Sequence, residues 1–304
     1  MSAYYQPSNQ VPPGGGGKFV VGGTVAAVVL AFGYGFITWY VPFTAFFLAL
    51  VFGGLLGAAL AALVRRGKLR SPAAVMPLAL LVGVVATYAQ WSVYLTLRAG
   101  AELHQSSSIL LRTGSRFSLG VWAGLVASPS RMAEAIHGIS GLAIDDQPLA
   151  SSSYLLLFWA AETLVIVGLA SGWAYSQAGA PFSEVANAWA IPEIMPRPAT
   201  HVPDPAMLKS ALEAGDYRAI VPIATRATVQ QLLARPTSFA RLTLYTAPDD
   251  PGCRYLKLEN FVGKTRRGTA SYDVKTVVEH LWLPPAAYEE LYHQFASPSL
   301  GNDS

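Results

Sequence analysis

The stretch FVVGGTVAAVVLAFGYGFITW, residues 19–39, decides the fold class of this chain, because it is apolar and holds no charged side chain. At 1.5 Å per residue it spans a hydrocarbon core of roughly 30 Å. The run without Asp, Glu, Lys, Arg or His continues to Val64. A secretory signal peptide is the competing interpretation, but its apolar region is shorter and precedes a small-residue cleavage site, which is missing here. The stretch therefore predicts a transmembrane helix.

Charge is distributed unevenly along the chain. Only 13% of the residues are charged and 52% are hydrophobic, against about 25% charged residues in a typical soluble domain. Residues 204–290, however, carry charges as densely as a globular domain. The sequence therefore predicts an α-helical membrane bundle followed by a small soluble α+β domain with an antiparallel sheet. The net charge of +3 is too small and too scattered to indicate a nucleic-acid partner.

The apolar runs predict four transmembrane helices. Pro42 argues against one long helix through the first two runs, because proline breaks a helix interior. A Pro- and Gly-rich segment, residues 1–18, precedes the helices and is predicted to be a flexible tail. The predicted spans cover residues 19–40, 43–64, 73–97 and 154–176.

A basic loop sets the predicted orientation. Short loops rich in Lys and Arg stay in the cytoplasm. Both termini are then cytoplasmic, the loop 98–153 lies outside, and the chain is a multi-pass protein of a bacterial inner membrane. Basic side chains in this loop and in a later turn are candidate contacts for lipid headgroups or a partner: Arg65, Arg66, Lys68, Arg70, Lys264, Arg266 and Arg267.

One carboxylate, Glu162, lies within the fourth predicted span. A charge facing lipid near the middle of a span costs at least ~2.5 kcal/mol, so we expect this side chain to face the bundle interior. Gln90 lies at the same depth in the third span, roughly 11–12 Å below the outer edge. A neutral Glu162 could hold two helices in register, or the group could serve a proton, an ion or a small substrate. The remaining members of this candidate intramembrane polar site are Tyr34, Tyr88 and Tyr94.

Two small-residue motifs suit close helix contact. Gly53 and Gly57 form a GxxxG motif in the second span, and Gly168 with Gly172 forms another in the fourth. They predict either close packing within one bundle or a dimer interface.

The soluble part is predicted as a Pro-rich linker, residues 177–203, and an α+β domain, residues 204–304. Asp204 followed by Pro205 is typical of a helix start. Alternating patterns predict strands over 239–247, 254–263 and 270–283, and we expect His280 to be a surface residue of the last strand. Further helices are predicted over 228–236 and 284–296.

Two segments carry a resemblance to a zinc ribbon. PFSEVANAW, residues 181–189, resembles the PFCxxCGxW opening of zinc-ribbon membrane proteins, with Ser183 and Ala186 at the cysteine positions. YTAPDDPGCRYLKLE resembles the second knuckle, with Ala247 and Asp250 at the ligand positions, and Cys253 lies outside the pattern. A zinc ribbon needs four thiolate or imidazole ligands. The resemblance therefore implies a degenerate, metal-free ribbon without a cofactor.

Short motifs elsewhere, YYQPS, TWYVPF and FWAAET, resemble bacterial multi-span membrane proteins of no assigned function that end in such a domain. The sequence holds no nucleophile elbow, Walker A loop, HExxH or dinucleotide motif. The first hypothesis is a membrane anchor or scaffold without catalytic activity: the cytoplasmic domain binds a protein partner, and the bundle is the anchor and the element through which a homo-oligomer would form.

Two other function classes stay open. A small transporter or channel subunit would use Glu162 and Gln90. A membrane enzyme would instead draw its acids and bases from the loop 98–153. The titratable candidates there are Glu102, His104, Glu134, His137, Asp145 and Asp146.

Overall fold

The computed structural model describes residues 4–41, 45–102, 116–140, 152–224, 238–266 and 269–296. It divides into two units, one of residues 8–179 and one of residues 1–7 with 180–304. The predicted combination of a helical bundle and a soluble antiparallel sheet domain is confirmed.

The helical unit consists of long apolar helices and short helices beside them. The long helices are α1 (Gly15–Tyr40), α2 (Ala45–Gly67), α3 (Pro72–Glu102) and α6 (Ser152–Ala178). The short helices are α4 (Leu119–Ala127) and α5 (Pro129–Ser140). α2 packs along α6, α1 along α3, α3 along α6, and α1 along α2. The uncharged run of residues 19–64 accounts for α1 and α2, and the later apolar runs account for α3 and α6.

Among the described residues, three helices are long and apolar enough to cross a membrane, whereas the sequence predicts four. These three are Gly15–Tyr40, Ala45–Gly67 and Pro72–Gly100. α6 is not one of them. The side chains of residues 152–156 and 158, at the start of α6, lie outside the described residues. The three helices are consistent with an integral membrane protein.

The end of α2 shows how the basic loop is shaped. Lys68 adopts a left-handed backbone with φ 48°, the conformation that commonly terminates a helix. The N–H of Leu69 donates to Val64 O at 3.1 Å, and Lys68 N–H donates to Arg65 O at 3.2 Å. This closure turns the chain directly into α3.

The sheet unit begins at Ala180, earlier than the predicted domain start at 204. Four short strands occupy the segment that its prolines predicted as a linker: β1 (Phe182–Ser183), β2 (Ala188–Trp189), β3 (Ile191–Ile194) and β4 (Ala199–Thr200). The prolines of this segment are compatible with these strands, because the strands are short and lie at edges of the sheets.

The main sheet has the order β3-β5-β6-β7 and is antiparallel, with β4 also paired to β5. Its long strands are β5 (Phe239–Ala247), β6 (Asp250–Arg266) and β7 (Thr269–Trp282). The predicted strand 239–247 matches β5, and the other two predicted strands fall within or largely on β6 and β7.

One face of the sheet carries the core of this unit. Leu242, Leu244, Leu256 and Leu258 are fully buried there. They pack with α7 (Pro205–Glu213), a 3-10 helix (Tyr217–Ile223) and α8 (Pro285–Ala296). The predicted cap of α7 is confirmed, because Asp204 accepts hydrogen bonds from the N–H groups of Ala206 and Met207. The predicted helix 228–236 lies outside the described residues.

The N-terminal segment, predicted as a flexible tail, makes defined contacts. Tyr4 pairs with Leu281 of β7, and the Tyr5 N–H donates to His280 O at 2.9 Å. The Tyr4 hydroxyl donates to Glu213 at 2.7 Å. Residues 4 and 5 therefore belong to the sheet unit, although their polar, proline-rich context gives no sign of it.

Candidate functional site: an intramembrane carboxyl cluster

Glu162 meets two polar side chains from other helices inside the bundle. Its carboxylate accepts a hydrogen bond from the Tyr34 hydroxyl of α1 and one from Gln90 Nε2 of α3 at 3.2 Å. Glu162, Gln90 and Tyr34 are 4%, 2% and 7% exposed. The depth comparison from the sequence therefore paired Glu162 with Gln90 as the structure does.

The cluster joins four helices, because the Tyr34 hydroxyl also lies 3.2 Å from the carbonyl oxygen of Ala45 at the start of α2. One hydroxyl has one proton, so Tyr34 donates to Glu162 or to Ala45 at any moment. A protonated Glu162 can donate in return. The side-chain oxygen of Gln90 is buried and has no hydrogen-bond partner within the described parts of the chain. Turning this amide over would offer that oxygen to a protonated Glu162.

No Lys, Arg or His among the described residues forms an ion pair with Glu162. A buried carboxylate without a cation is costly, whereas a neutral carboxyl with hydrogen bonds is tolerated. The arrangement therefore suits a carboxyl that is protonated and held by its neighbours. It can store or exchange one proton.

The other two tyrosines of the predicted site lie elsewhere. The Tyr88 hydroxyl donates to Leu125 O of α4 at 2.9 Å. The Tyr94 ring packs edge-on against Trp39 and Trp91, with centroids 5.7 and 5.6 Å away. Helical depth alone cannot separate these residues from Tyr34, because depth does not say which way a side chain points around its helix.

The basic candidates occupy different environments. Arg65 and Arg66 are exposed at the end of α2, whereas Arg70 is only 7% exposed. Arg70 Nη2 donates to Gln10 Oε1 at 2.9 Å, and the backbones of residues 9, 10 and 70 are also hydrogen-bonded. Arg70 thus holds the segment before α1 against the loop after α2, a role that a count of charges does not reveal.

In the sheet unit, Lys264 forms an ion pair with Asp273 across β6 and β7. Arg266 lies at the end of β6, and Arg267 lies outside the described residues. In the predicted basic turn, Lys264 is therefore already paired with a carboxylate of the same sheet.

The two ribbon-like turns meet each other. Ser183, at the end of β1, donates a hydrogen bond to Asp250 Oδ2 at 2.5 Å and accepts one from the Ala186 N–H at 2.9 Å. Asp250 pairs with Ala247 where β5 turns into β6, and its Oδ1 accepts from the Gly252 N–H at 2.9 Å. All four ligand positions of the resemblance are thus connected through the Ser183–Asp250 hydrogen bond.

These residues do not fit a zinc ion. Of the four positions, only Asp250 has a side chain of the kind that ligates zinc, and its oxygens are used by Ser183 and Gly252. The parts of the chain that are described hold no group of three or more His, Cys, Asp or Glu side chains that could bind a metal. Cys253 is buried, and burial followed by the charge of Asp250 raises the pKa of its thiol to about 11. It is therefore a poor nucleophile at neutral pH.

His280 differs from the expected surface residue. Its backbone is left-handed with φ 55°, and its ring lies edge-on to Tyr245 and Tyr5, with centroids 5.0 and 6.5 Å away. Burial lowers its pKa to about 4. Because Tyr5 comes from the far end of the chain, no local pattern around His280 indicates this contact.

The loop candidates for acid–base chemistry are mostly not described. His104, Asp145 and Asp146 lie outside the described residues, as do the side chains of Glu102 and His137. Glu134 is exposed on α5. Nothing in the described part of the loop brings two of these groups together.

Comparison of the chain with models of known protein families, with curated proteins and with solved structures finds no match.

Proposed function

We propose that this chain is a four-span membrane protein whose sheet unit lies in the cytoplasm and binds a protein partner, with the bundle as its anchor. The first support is the course of α6 within the bundle. Glu162 contacts Gln90 at one level, and a Cβ on Gly179 would lie 3.8 Å from Pro72 at another. α6 therefore runs antiparallel to α3 over about 26 Å at 1.5 Å per residue, with another turn or more beyond Glu162. A helix that accompanies a spanning helix so far is best explained as a fourth span.

The membership of Tyr4 and Tyr5 in the sheet unit supports an even number of crossings. The chain leaves that unit near residue 7 and returns to it at Ala180. A folded unit lies on one side of a membrane, so the helical unit must begin and end on the same side. Four spans satisfy this requirement, whereas three do not.

The exposed cations support a cytoplasmic sheet unit. Arg65 and Arg66 lie at the bundle end that also holds residues 9 and 10. By the positive-inside rule this end faces the cytoplasm. The proposal of a bacterial inner membrane rests on the resemblance of the short motifs YYQPS, TWYVPF and FWAAET to bacterial multi-span proteins.

One observation carries the scaffold function. Within ten residues of the sheet unit, three large aliphatic side chains are exposed. Val185, at the β1–β2 turn, is 82% exposed, and Ile191 and Ile194 of β3 are 55% and 53% exposed. A contiguous group of exposed apolar side chains marks an interaction surface, and we take these three to border one such surface, with Ile191 and Ile194 on opposite sides of the edge strand β3. We name these three residues the aliphatic surface. Its partner is a protein that buries these side chains.

Site-specific photo-crosslinking in cells tests this function. A photoreactive residue at Val185 or Ile194 should give one discrete protein adduct, which is lost in a Val185→Asp variant carrying the crosslinker at 194. Met207, 73% exposed on α7, is the matched control position and should give none. Adducts with lipid alone, or the same adducts at all three positions, would contradict a protein partner at the aliphatic surface.

A second candidate function, a small transporter or channel subunit, rests on the buried Glu162 cluster. Its members can exchange a proton without a salt-bridge partner, as a proton-coupled site requires. In proteoliposomes, proton flux that is present in the wild type and in Tyr94→Phe but abolished in a folded Glu162→Gln variant would favour this function. Absence of flux in the wild type would leave the cluster with a structural role.

A further inference from the structure

β7 forms one edge of the main sheet, and among the described residues only its C-terminal end is covered, by the N-terminal segment. Tyr4 pairs with Leu281, and the Tyr5 N–H binds His280 O. Along residues 271–276, no described strand pairs with the outer edge of β7. Most of the side chains there are exposed, and Val274 is 50% exposed. An edge of this kind is a template for another strand.

The opposite edge of the sheet is a poorer template. Its strand, β3, is four residues long and contains Pro192, which has no N–H to donate to a neighbouring strand. Sheet extension is therefore directed to β7.

The exposed segment of β7 is complementary to itself. It reads Tyr272-Asp273-Val274-Lys275-Thr276. If two copies pair antiparallel with Val274 opposite Val274, then Asp273 of each copy lies opposite Lys275 of the other. Cross-strand pairs of opposite charge stabilise a sheet, and like charges directly opposite destabilise it. The two-fold symmetry repeats the favourable pair twice.

The charges also select this register over its neighbours. In an antiparallel extension that keeps the same faces of both sheets on one side, directly opposite residues must project to the same face. The allowed registers are therefore centred on a single residue, such as 273, 274 or 275. Centring the pair on residue 273 places two aspartates opposite each other, and centring it on residue 275 places two lysines opposite each other. Of these three registers, only the one centred on Val274 joins unlike charges.

The other face of β7 favours the same register. Val274 pairs in its own sheet with Phe261, which is stacked on Phe239 at 4.9 Å and approached by Tyr272 at 6.2 Å. A second Val274 would extend this apolar cluster. On the charged face, Asp273 already binds Lys264, so Lys275 of the second copy would complete a row of alternating charges.

We propose that β7 is a homodimer interface, at which two copies of this chain join their five-stranded sheets through antiparallel pairing centred on Val274. The proposal is independent of the scaffold function, because it involves a different edge and needs no other protein.

Cysteine crosslinking in membranes tests the register. Directly opposite residues of an antiparallel pair have Cβ atoms about 4.5–5.5 Å apart, so Val274→Cys should form a disulfide-linked dimer upon oxidation. Ser271→Cys is the matched control on the same exposed strand. In the proposed register its two copies are six residues apart along the strand, roughly 20 Å. The native Cys253 is buried and should stay unlinked. Equal crosslinking at both positions, or none at 274, would overturn the proposal.

Charge exchange tests the interface without a covalent bond. Lys275→Asp and Asp273→Lys each place like charges opposite each other, so each variant alone should be monomeric in detergent by light scattering. A mixture of the two should form heterodimers, because every opposing pair is then unlike. Both positions are exposed, and a single cooperative thermal unfolding transition for each variant verifies folding. Homodimers of either variant, or no association in the mixture, would overturn the proposal.

Discussion

At the scale of single residues, Glu162 shows how a bilayer changes the contacts that a carboxyl group needs. In water it would be an ordinary surface charge, but in a bundle it must find hydrogen bonds on other helices. Tyr34 and Gln90 supply them. The three side chains thereby fix the relative depth of α1, α3 and α6.

Replacing Tyr34 by Phe should destabilise the bundle by about 1 kcal/mol, the usual size of an interhelical hydrogen bond in a membrane. The variant removes the hydroxyl from Glu162 and Ala45 and keeps the ring that stacks on Phe52. Denaturant unfolding in detergent measures the change. Tyr175→Phe, at a 50% exposed position of α6, should leave the free energy of unfolding unchanged, and an equal loss in both variants would contradict the cluster's contribution.

His280 predicts a pH dependence for the sheet unit. Its folded pKa of about 4 is below the ordinary value of 6.5 because the ring is buried. The unfolded chain therefore binds the proton more tightly, and stability should fall as the pH drops from about 6.5 to about 4. Chemical unfolding of the full chain at several pH values measures this loss.

His280→Asn should remove that part of the pH dependence, because Asn tolerates the left-handed backbone and does not titrate in this range. His293→Asn, on α8, should retain it. A pH profile that is the same in the His280 variant and the wild type would show that another group is responsible.

At the scale of elements, the two GxxxG motifs have different environments. A Cβ on Gly53 would lie 3.0 Å from Ile166 Cα, and one on Gly57 would lie 3.1 Å from Leu169 O, both on α6. A Cβ on Gly168 or Gly172 would meet nothing within 4 Å. The first motif therefore serves packing within the bundle.

Gly53→Val should separate α2 from α6 and cost about 1–3 kcal/mol, the range for overpacking at a close contact. The atoms that it would meet belong to the backbone of Ile166 and cannot move aside as a flexible side chain would. Gly54→Val is the matched control on the same helix, since a Cβ there meets nothing within 4 Å. Thermal unfolding in detergent compares them, and equal midpoints would show that the helices are not in close contact at Gly53.

Ser183→Ala should loosen the contact between the β1–β2 turn and the β5–β6 turn and cost about 1 kcal/mol. It removes the donor to Asp250 and the acceptor of the Ala186 N–H. Ser210→Ala, at an exposed position of α7, is the control for denaturant unfolding.

Because the ribbon positions do not fit a metal, EDTA should not change the unfolding midpoint. A fall upon chelation would indicate a bound metal.

At the scale of the whole molecule, the N-terminal residues tie the start of the chain to its last domain. Residues 1–7 are part of the sheet unit, while residues 8–179 form the helical unit. In the proposed four-span topology, both ends of the helical unit lie on one side of the membrane, as this membership leads us to expect.

Labelling with a membrane-impermeant maleimide should show this topology. In a Cys253→Ser background, Ser8→Cys and Ser210→Cys should be protected in intact cells and labelled after lysis, because both positions would be cytoplasmic. Leu119→Cys, 68% exposed on α4, should be labelled in intact cells. Opposite accessibility of positions 8 and 210 would contradict the even number of crossings.

The long elements could be predicted because their patterns are local. An uncharged run sets α1 and α2, alternation sets β5, and Asp204 with Pro205 sets the start of α7. The short strands β1–β4 could not be predicted in the same way. Two to four residues among prolines carry too little periodicity, and their pairing depends on β5, which follows much later in the chain.

The sequence by itself determined that this chain has a membrane bundle and a sheet domain, and that Glu162 must face inward. Removing apolar surface from water is favourable and exposing a carboxyl to lipid is costly, and both effects depend on the composition of each segment alone. Only the tertiary structure decided which tyrosine binds Glu162, that Arg70 is buried, that Ser183 meets Asp250, and that Tyr5 covers His280. Each of these depends on the direction of a side chain or on the pairing of distant segments. Those are set by packing between elements, which no local pattern records.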